Sequence, residues 1–231
     1  KEGKLSELLD ALREEAIKTN KEFAQKIGIN QSVAITCVKP SGTVSQLVDA
    51  ASGIHARHND FYIRTVRADN KDPLCQFMKD KGFPYEACAM KPDHVTVFSF
   101  PVASPKGCVT RTDMTAIEQL EMWLQYQRHW CEHKPSVTIT VKEHEWMEVG
   151  AWVWAHLGEC SGISFLPFSD HSYKQAPYQD CEESDYIELR GQMPQDIDWT
   201  ELKSYEEQDN TAGSQTYACS GDSCEVVDLT N

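Results

Sequence analysis

The sequence predicts an α/β protein whose strands are mainly parallel. Three observations carry that expectation. Short β-branched runs recur, amphipathic helix-length stretches separate them, and glycine or proline closes several of the joins. Taken in order, residues 4–27 set Leu5, Leu8, Leu9, Leu12, Ala16 and Phe23 at helical spacing, with Gly28 as the C-cap. Val33 to Val38 reads as a buried strand that stops at Lys39-Pro40, and a short helix follows from Gln46 to Ala51. Phe61 to Val66 is a strand, Asp72 to Lys81 a helix closed by Gly82, and His94 to Phe100 a strand. Thr112 to Trp130 is a long helix, with Thr112 and Asp113 as N-cap candidates and Ile117, Leu120, Trp123 and Leu124 as its apolar stripe. A strand from Val137 to Val141, a helix from Lys142 to Leu157 and a strand from Ile163 to Phe168 complete the pattern. Beyond Ser169 it thins, and from Gln192 the chain is polar and acidic apart from Trp199, Leu202 and Tyr205. Residues 206–231 read as a mobile tail.

The 231 residues suffice for one large domain or two small ones, and 40% hydrophobic residues can build a core. The net charge of -14 argues against general nucleic-acid binding. Residues 170–231 carry most of it, with 15 Asp and Glu against 3 Lys and Arg. No run of about 18 apolar residues occurs, so no membrane span is expected. The chain opens on Lys1 with no signal pattern, as a processed chain or part of a longer one would. Nine scattered cysteines fit reduced thiols in the cytoplasm better than a disulfide framework. Cys37, Cys75, Cys88, Cys108, Cys131, Cys160 and Cys181 read as small buried hydrophobes, and Trp123, Trp130, Trp146, Trp152 and Trp154 as helix-face packing. Only Cys219 and Cys224 lie close together.

The turn Pro40-Ser41-Gly42-Thr43-Val44-Ser45 is compact and rich in hydroxyls, beside Lys39. Amide donors, two serines, a threonine and a glycine that admits close approach suit a phosphate. The same residues also suit an ordinary strand-to-helix turn, and G-x-x-x-x-G-K-[ST] is absent. His55 and His58 stand three apart without an obvious third metal ligand. His129, Cys131, His133 and His144 lack the spacing of a zinc finger or ribbon. Glu182, Glu183 and Asp185 read as a solvated face.

The run CVKPSGTVSQLVDAASGIHARH, residues 37–58, closely resembles the substrate-phosphate loop of ribonucleotide reductases. It is most similar to the adenosylcobalamin-dependent, class II, monomeric type that reduces ribonucleoside triphosphates. PSVTITV at 135–141, GISFLPFSDHSYKQAPYQ at 162–179 and CSGDSC at 219–224 match the same family in the same order. The resemblance implies that residues 1–205 are the C-terminal part of a ten-stranded α/β barrel, and 206–231 a flexible acidic redox tail. It implies that Pro40, Ser41, Gly42, Thr43, Val44 and Ser45 hold the substrate phosphates. It offers His55, Arg57, His58, Tyr173, Gln175 and Tyr178 for adenosylcobalamin, and assigns Cys219 and Cys224 as a dithiol serving a thioredoxin-like reductant. The family also needs a radical cysteine with an asparagine and a glutamate, which lie upstream of the phosphate loop. No N-x-C-x-E arrangement occurs in residues 1–30 and no allosteric region precedes the loop. The N-terminal part of the reductase is therefore an expected partner. A nucleotide- or cobalamin-binding module without chemistry of its own is the second reading, and a thiol–disulfide protein built on Cys219 and Cys224 the third.

Overall fold

The computed structural model describes residues 2–41, 44–168, 174–206, 218–220 and 223–225. They form two compact units, residues 1–60 with 104–170 and residues 61–103 with 171–231.

In the first unit, helix α1 (Glu2–Ile27) ends at Gly28, whose φ of 72° only glycine adopts freely. It packs on α4 (Ala116–His129), where Asp10 Oδ2 meets His129 Nδ1 at 2.9 Å. Helix α4 starts later than its hydroxyl-rich approach suggests. The Asp113 carboxylate is spent on Thr110, accepting from its amide at 2.8 Å and its hydroxyl at 2.7 Å. Thr115 caps the helix instead: its Oγ1 accepts from the Glu118 amide at 3.2 Å, and Glu118 Oε2 accepts from the Thr115 amide at 2.8 Å.

Strands β4 (Val137–Val141) and β5 (Ile163–Pro167) pair in parallel, joined through a 3₁₀ turn and α5 (Trp146–Ala155). Their shared core takes Leu120, Trp123 and Leu124 from α4, Val137, Ile139 and Val141 from β4, and Val149 and Trp152 from α5. Trp123 is fully buried and its indole N–H donates to the Pro135 carbonyl at 2.9 Å. Trp154, at 80% exposure, faces outward instead of packing.

Val33 to Val38 is not a strand. Among the described residues no strand pairs with it, and its polar groups are met by the segment after α4. Glu132 Oε2 accepts from the amides of Ile35 at 2.7 Å and Thr36 at 3.3 Å, and the Thr36 carbonyl accepts from Glu132 and His133. These bonds, the Ile35 amide first, hold the Glu132 carboxyl below its usual range. The helix expected at Gln46–Ala51 is the four-residue α2 (Val44–Leu47), two residues earlier.

The second unit corrects the expectation of mainly parallel strands. Strands β1 (Phe61–Asp69), β2 (Tyr85–Ala87), β3 (Val95–Ala103) and β6 (Tyr178–Asp180) form a sheet in the order β2-β3-β1-β6, antiparallel throughout. Between β1 and β3 lies α3 (Pro73–Asp80), capped by Asp72. The chain continues through β2, and the Asn70 amide just past β1 donates to the His94 carbonyl just before β3 at 2.8 Å; β3 therefore starts beside the end of β1 and runs back along it, with Phe61 opposite Ala103 and Asp69 opposite Val95.

Glu182, Glu183 and Asp185 open a helix that the sequence reading missed, α6 (Glu183–Gln192), with Asp185 accepting from the Glu182 amide at 3.1 Å. Trp199 and Tyr205 pack their rings 5.4 Å from Phe77, which is fully buried. Within the expected tail, β7 (Ala218–Ser220) and β8 (Ser223–Glu225) pair antiparallel with Cys219 opposite Cys224. Residues 207–217, 221–222 and 226–231 lie outside the described residues. Three of the seven remaining cysteines, Cys75, Cys88 and Cys131, are buried as expected, and Cys37, Cys108, Cys160 and Cys181 are half-buried.

Two outcomes follow for the first unit. Leu120→Ala empties part of its core and should cost about 2–5 kcal/mol in denaturant titration. Burial pushes the Cys131 thiol up to about 11. The folded state therefore keeps that proton where the unfolded thiol has lost it. Stability from Cys131 is complete below the unfolded value of 9.0 and is lost as pH rises towards about 11. Unfolding at pH 8, 10 and 11 should show wild-type stability falling more steeply than that of Cys131→Ala, by up to about 2 kcal/mol.

Candidate functional site

The site grows from the turn after Val38. Lys39 and Pro40 are exposed, and the Ser41 amide donates to Ser52 Oγ at 3.1 Å. The Ser41 carbonyl accepts from the Val44 amide at 3.2 Å as α2 begins. Ser45 is 4% exposed, and its carbonyl accepts from the Ala50 amide at 2.9 Å, closing the far end. Gly42 and Thr43 lie outside the described residues.

The chain then folds back on the turn. Gly53 has φ of 59°, and a Cβ there would stand 3.3 Å from both the Lys39 carbonyl oxygen and Val38 Cγ1. Only glycine fits a loop pressed that closely on the segment before the turn. His55 carries the contact further. Its Nδ1 lies 2.6 Å from the Ser52 carbonyl oxygen, and its Nε2 accepts from the Thr138 amide on β4 at 3.0 Å. A ring nitrogen that accepts an amide proton bears none itself, so His55 is the neutral Nδ1–H tautomer.

Arg57 is 5% exposed and pins the same loop from below. Its guanidinium donates to the Ala50 carbonyl at 2.8 Å, Asp49 Oδ1 at 2.9 Å and Ser104 Oγ at 3.2 Å. Its backbone bridges to Val109 and Arg111. His58 is half-buried and engaged. The loop walls a groove of about 800 Å³, lined on its other side by Met114, Ile117 and Met122. The carboxylates around it are taken: Asp49 by Arg57, Asp113 by Thr110, Glu118 by Thr115 and Glu121 by the Trp152 indole.

The other cofactor candidates belong to the second unit. Gln175, 4% exposed with φ of 61°, ties β6's approach to the segment around β2. Its Oε1 accepts from the Ala89 amide at 2.8 Å, its Nε2 donates to the Ala87 carbonyl at 2.7 Å, and its own carbonyl accepts from Arg67 at 3.0 Å. Tyr178 opens β6, and the Arg64 guanidinium sits 4.4 Å from its ring centre. Tyr173 lies outside the described residues.

The first unit thus brings Pro40, Ser41, Val44, Ser45, His55 and Arg57 into one laced assembly. The polar atoms of His55, Arg57 and Gln175 are spent on the fold, so these three fit a bracing part, and direct polar contact with a cofactor would break the bonds above. Asp49, Ser52, Ser104 and Thr138 complete the lacing and escaped the sequence reading. Ser52, directly before the glycine that ends the loop's return, carried the one local signal. Among the described residues no three His, Cys, Asp or Glu gather as a metal site, and no helix is long and apolar enough to cross a membrane.

No family model matches the chain. It is 30% identical over 205 residues to the adenosylcobalamin-dependent ribonucleoside-triphosphate reductase of Euglena gracilis, covering 88% of this chain and 28% of that protein. It is 26% identical over 224 residues to the protein of the same name from Lactobacillus acidophilus, covering 95% and 30%. The chain thus spans about three-tenths of the length of these relatives. A crystal structure of a B12-dependent class II ribonucleotide reductase matches its fold with a TM-score of 0.71 at 23% identity, over 88% of this chain and 28% of that one. In sequence and in mixed α/β fold, the chain is a relative of one part of the adenosylcobalamin-dependent ribonucleoside-triphosphate reductases.

Proposed function

We propose that this chain is the C-terminal portion of a ribonucleotide reductase that converts ribonucleoside triphosphates to deoxyribonucleoside triphosphates. One observation carries the reading: similarity over 88% of the chain, a span that necessarily takes in the turn, the laced loop and β4 to β5. The resemblance read from the sequence supports completion of β4 and β5 into a ten-stranded barrel by the N-terminal part of the protein.

In this reading the Pro40–Ser45 turn receives the substrate phosphates. Ser52, Gly53 and His55 hold it in place before substrate arrives, so little ordering is left to binding. The exposed Lys39 adds positive charge beside it. Adenosylcobalamin, when bound, supplies the initiating radical. Tyr173 and Tyr178 remain candidates to touch it, and His55, Arg57, His58 and Gln175 each brace the loop of their own unit. The thiyl-radical cysteine and its carboxylate come from chain outside these residues.

Each reduction of a ribose consumes two electrons and leaves an active-site disulfide. Cys219 and Cys224 relay replacements: one thiolate attacks that disulfide, the second displaces the reduced thiol, and the resulting Cys219–Cys224 disulfide is reduced by a thioredoxin-like dithiol. Directly opposed residues of an antiparallel pair have Cα atoms about 4.5–5.5 Å apart, inside the roughly 4.4–6.8 Å that a disulfide spans.

Three outcomes test the reading. The 231-residue chain alone should form no deoxynucleotide, while the chain joined to the missing portion should do so only with adenosylcobalamin. A completed protein that binds nucleotide and cobalamin without turnover would favour the binding-module reading. Gly53→Ala should cost about 1–2 kcal/mol of stability and weaken nucleotide binding roughly three- to tenfold in calorimetry. With both Cys219 and Cys224 changed to Ser, the completed enzyme should lose multiple turnovers with thioredoxin but keep a single prereduced turnover. Unimpaired turnover with thioredoxin sinks the relay.

A further inference from the structure

Two cysteines that the site does not use stand against each other in the first unit. Residues 35–38 run along the segment that follows α4. The Thr36 carbonyl accepts from the Glu132 amide at 2.9 Å and the His133 amide at 3.1 Å, and the Val38 carbonyl accepts from the Ser136 amide at 3.1 Å. Between them, the Cys37 carbonyl accepts from the indole N–H of Trp130, the residue before Cys131, at 3.1 Å. The Val38 amide, whose nitrogen is bonded to the Cys37 carbonyl carbon, reaches the Cys131 thiol. Backbone bonds on both sides thus hold Cys37 and Cys131 side by side, though they lie far apart along the chain.

Segments joined by backbone hydrogen bonds run about 5 Å apart, and a disulfide spans Cα atoms roughly 4.4–6.8 Å apart. The two thiols are close enough for charge on Cys37 to bear on Cys131. Their surroundings differ. Cys131 is buried and keeps its proton, whereas Cys37 is only half-buried and open to a small oxidant.

We propose that Cys37 and Cys131 are a modification site, joined in a reversible disulfide when the chain meets hydrogen peroxide. The Cys37 thiolate attacks one peroxide oxygen, the O–O bond breaks, and the leaving hydroxide takes up a proton. Cys37 becomes a sulfenic acid. The Cys131 sulfur then attacks the Cys37 sulfur. The S–S bond forms, the S–O bond breaks, and the oxygen departs as water with the Cys131 proton. Two electrons pass from the two sulfurs to the peroxide, and both its oxygens end as water. A small dithiol reverses the step by exchange. The disulfide spares Cys37 the irreversible sulfinic acid. It also ties the entry of the Pro40–Ser45 turn, three residues beyond Cys37, to the segment after α4. The site stands whether or not the reductase reading does.

The test uses the full chain with Cys219 and Cys224 changed to Ser, which removes the other close pair of thiols. After brief treatment with hydrogen peroxide, a non-reducing peptide map should join Cys37 to Cys131 in most molecules, and dithiothreitol should release them. The link closes a long ring, so the oxidised chain should unfold at a higher urea midpoint than the reduced one. With Cys131→Ser added, Cys37 should stop at the sulfenic acid and be trapped by dimedone. With Cys37→Ser added instead, Cys131 should remain a thiol. The proposal is overturned if Cys37 pairs with a different cysteine, if it passes to the sulfinic acid without linking, if both thiols survive the treatment, or if Cys131 is oxidised without Cys37. A link that lowers the urea midpoint also overturns it, because the pair then forms only in an opened chain. Should either added substitution prevent folding, the map and the urea midpoint of the parent chain decide.

Discussion

The imidazole of His55 joins two parts of the first unit that the chain sets 83 residues apart. On one side it holds the Ser52 carbonyl, and through Ser52 the amide that begins the hydroxyl-rich turn. On the other it accepts an amide from the edge of β4. Both bonds are made only by the neutral ring in one tautomer. Turn and sheet are therefore positioned together, and the placement of Ser41 depends on the sheet as much as on its own neighbours. Replacing the imidazole by an apolar side chain would leave the Thr138 amide without its partner, a loss of about 1–3 kcal/mol, and would leave the Ser52 carbonyl only the His55 backbone amide at 3.1 Å.

Arg57 works beside it in a different way. A buried guanidinium is costly unless every donor is matched. Here carbonyl, carboxylate and hydroxyl partners come from Ala50, Asp49 and Ser104. The planar fork fixes their separation, so the loop from Asp49 to Arg57 acts as one piece. The sequence shows an arginine between two histidines, a pattern that suits an anion. The structure turns that charge inward.

Periodic elements were the legible ones. Val137 to Val141 was read at its observed bounds, and α1, α3 and α4 within a few residues, because helical spacing and capping residues are local signals. Strand direction was not legible, since it depends on where the chain re-enters the sheet, here set by Asn70 just past β1 meeting the His94 carbonyl just before β3. Val33 to Val38 shows the same limit. Its β-branched run satisfies strand propensity, yet propensity needs a neighbour, and what lies alongside is a glutamate and an irregular segment. At the site, the hydroxyls and Gly42 stood out by type and spacing. Ser52 and Thr138 did not, for what matters in them is which backbone group they meet.

The segment before the turn gains its hydrogen bonds from Glu132, 97 residues later along the chain. Synthesis proceeds at about 5–20 residues per second, so roughly 5–20 seconds separate the making of Ile35 from that of its partner. Throughout that interval the stretch leading into Pro40 leaves the ribosome with its amides open to water. The first unit is also discontinuous along the chain, since residues 61–103, between its two stretches, belong to the second. The earlier half of the turn's scaffold must therefore wait while the residues of an entire antiparallel pair are made in between.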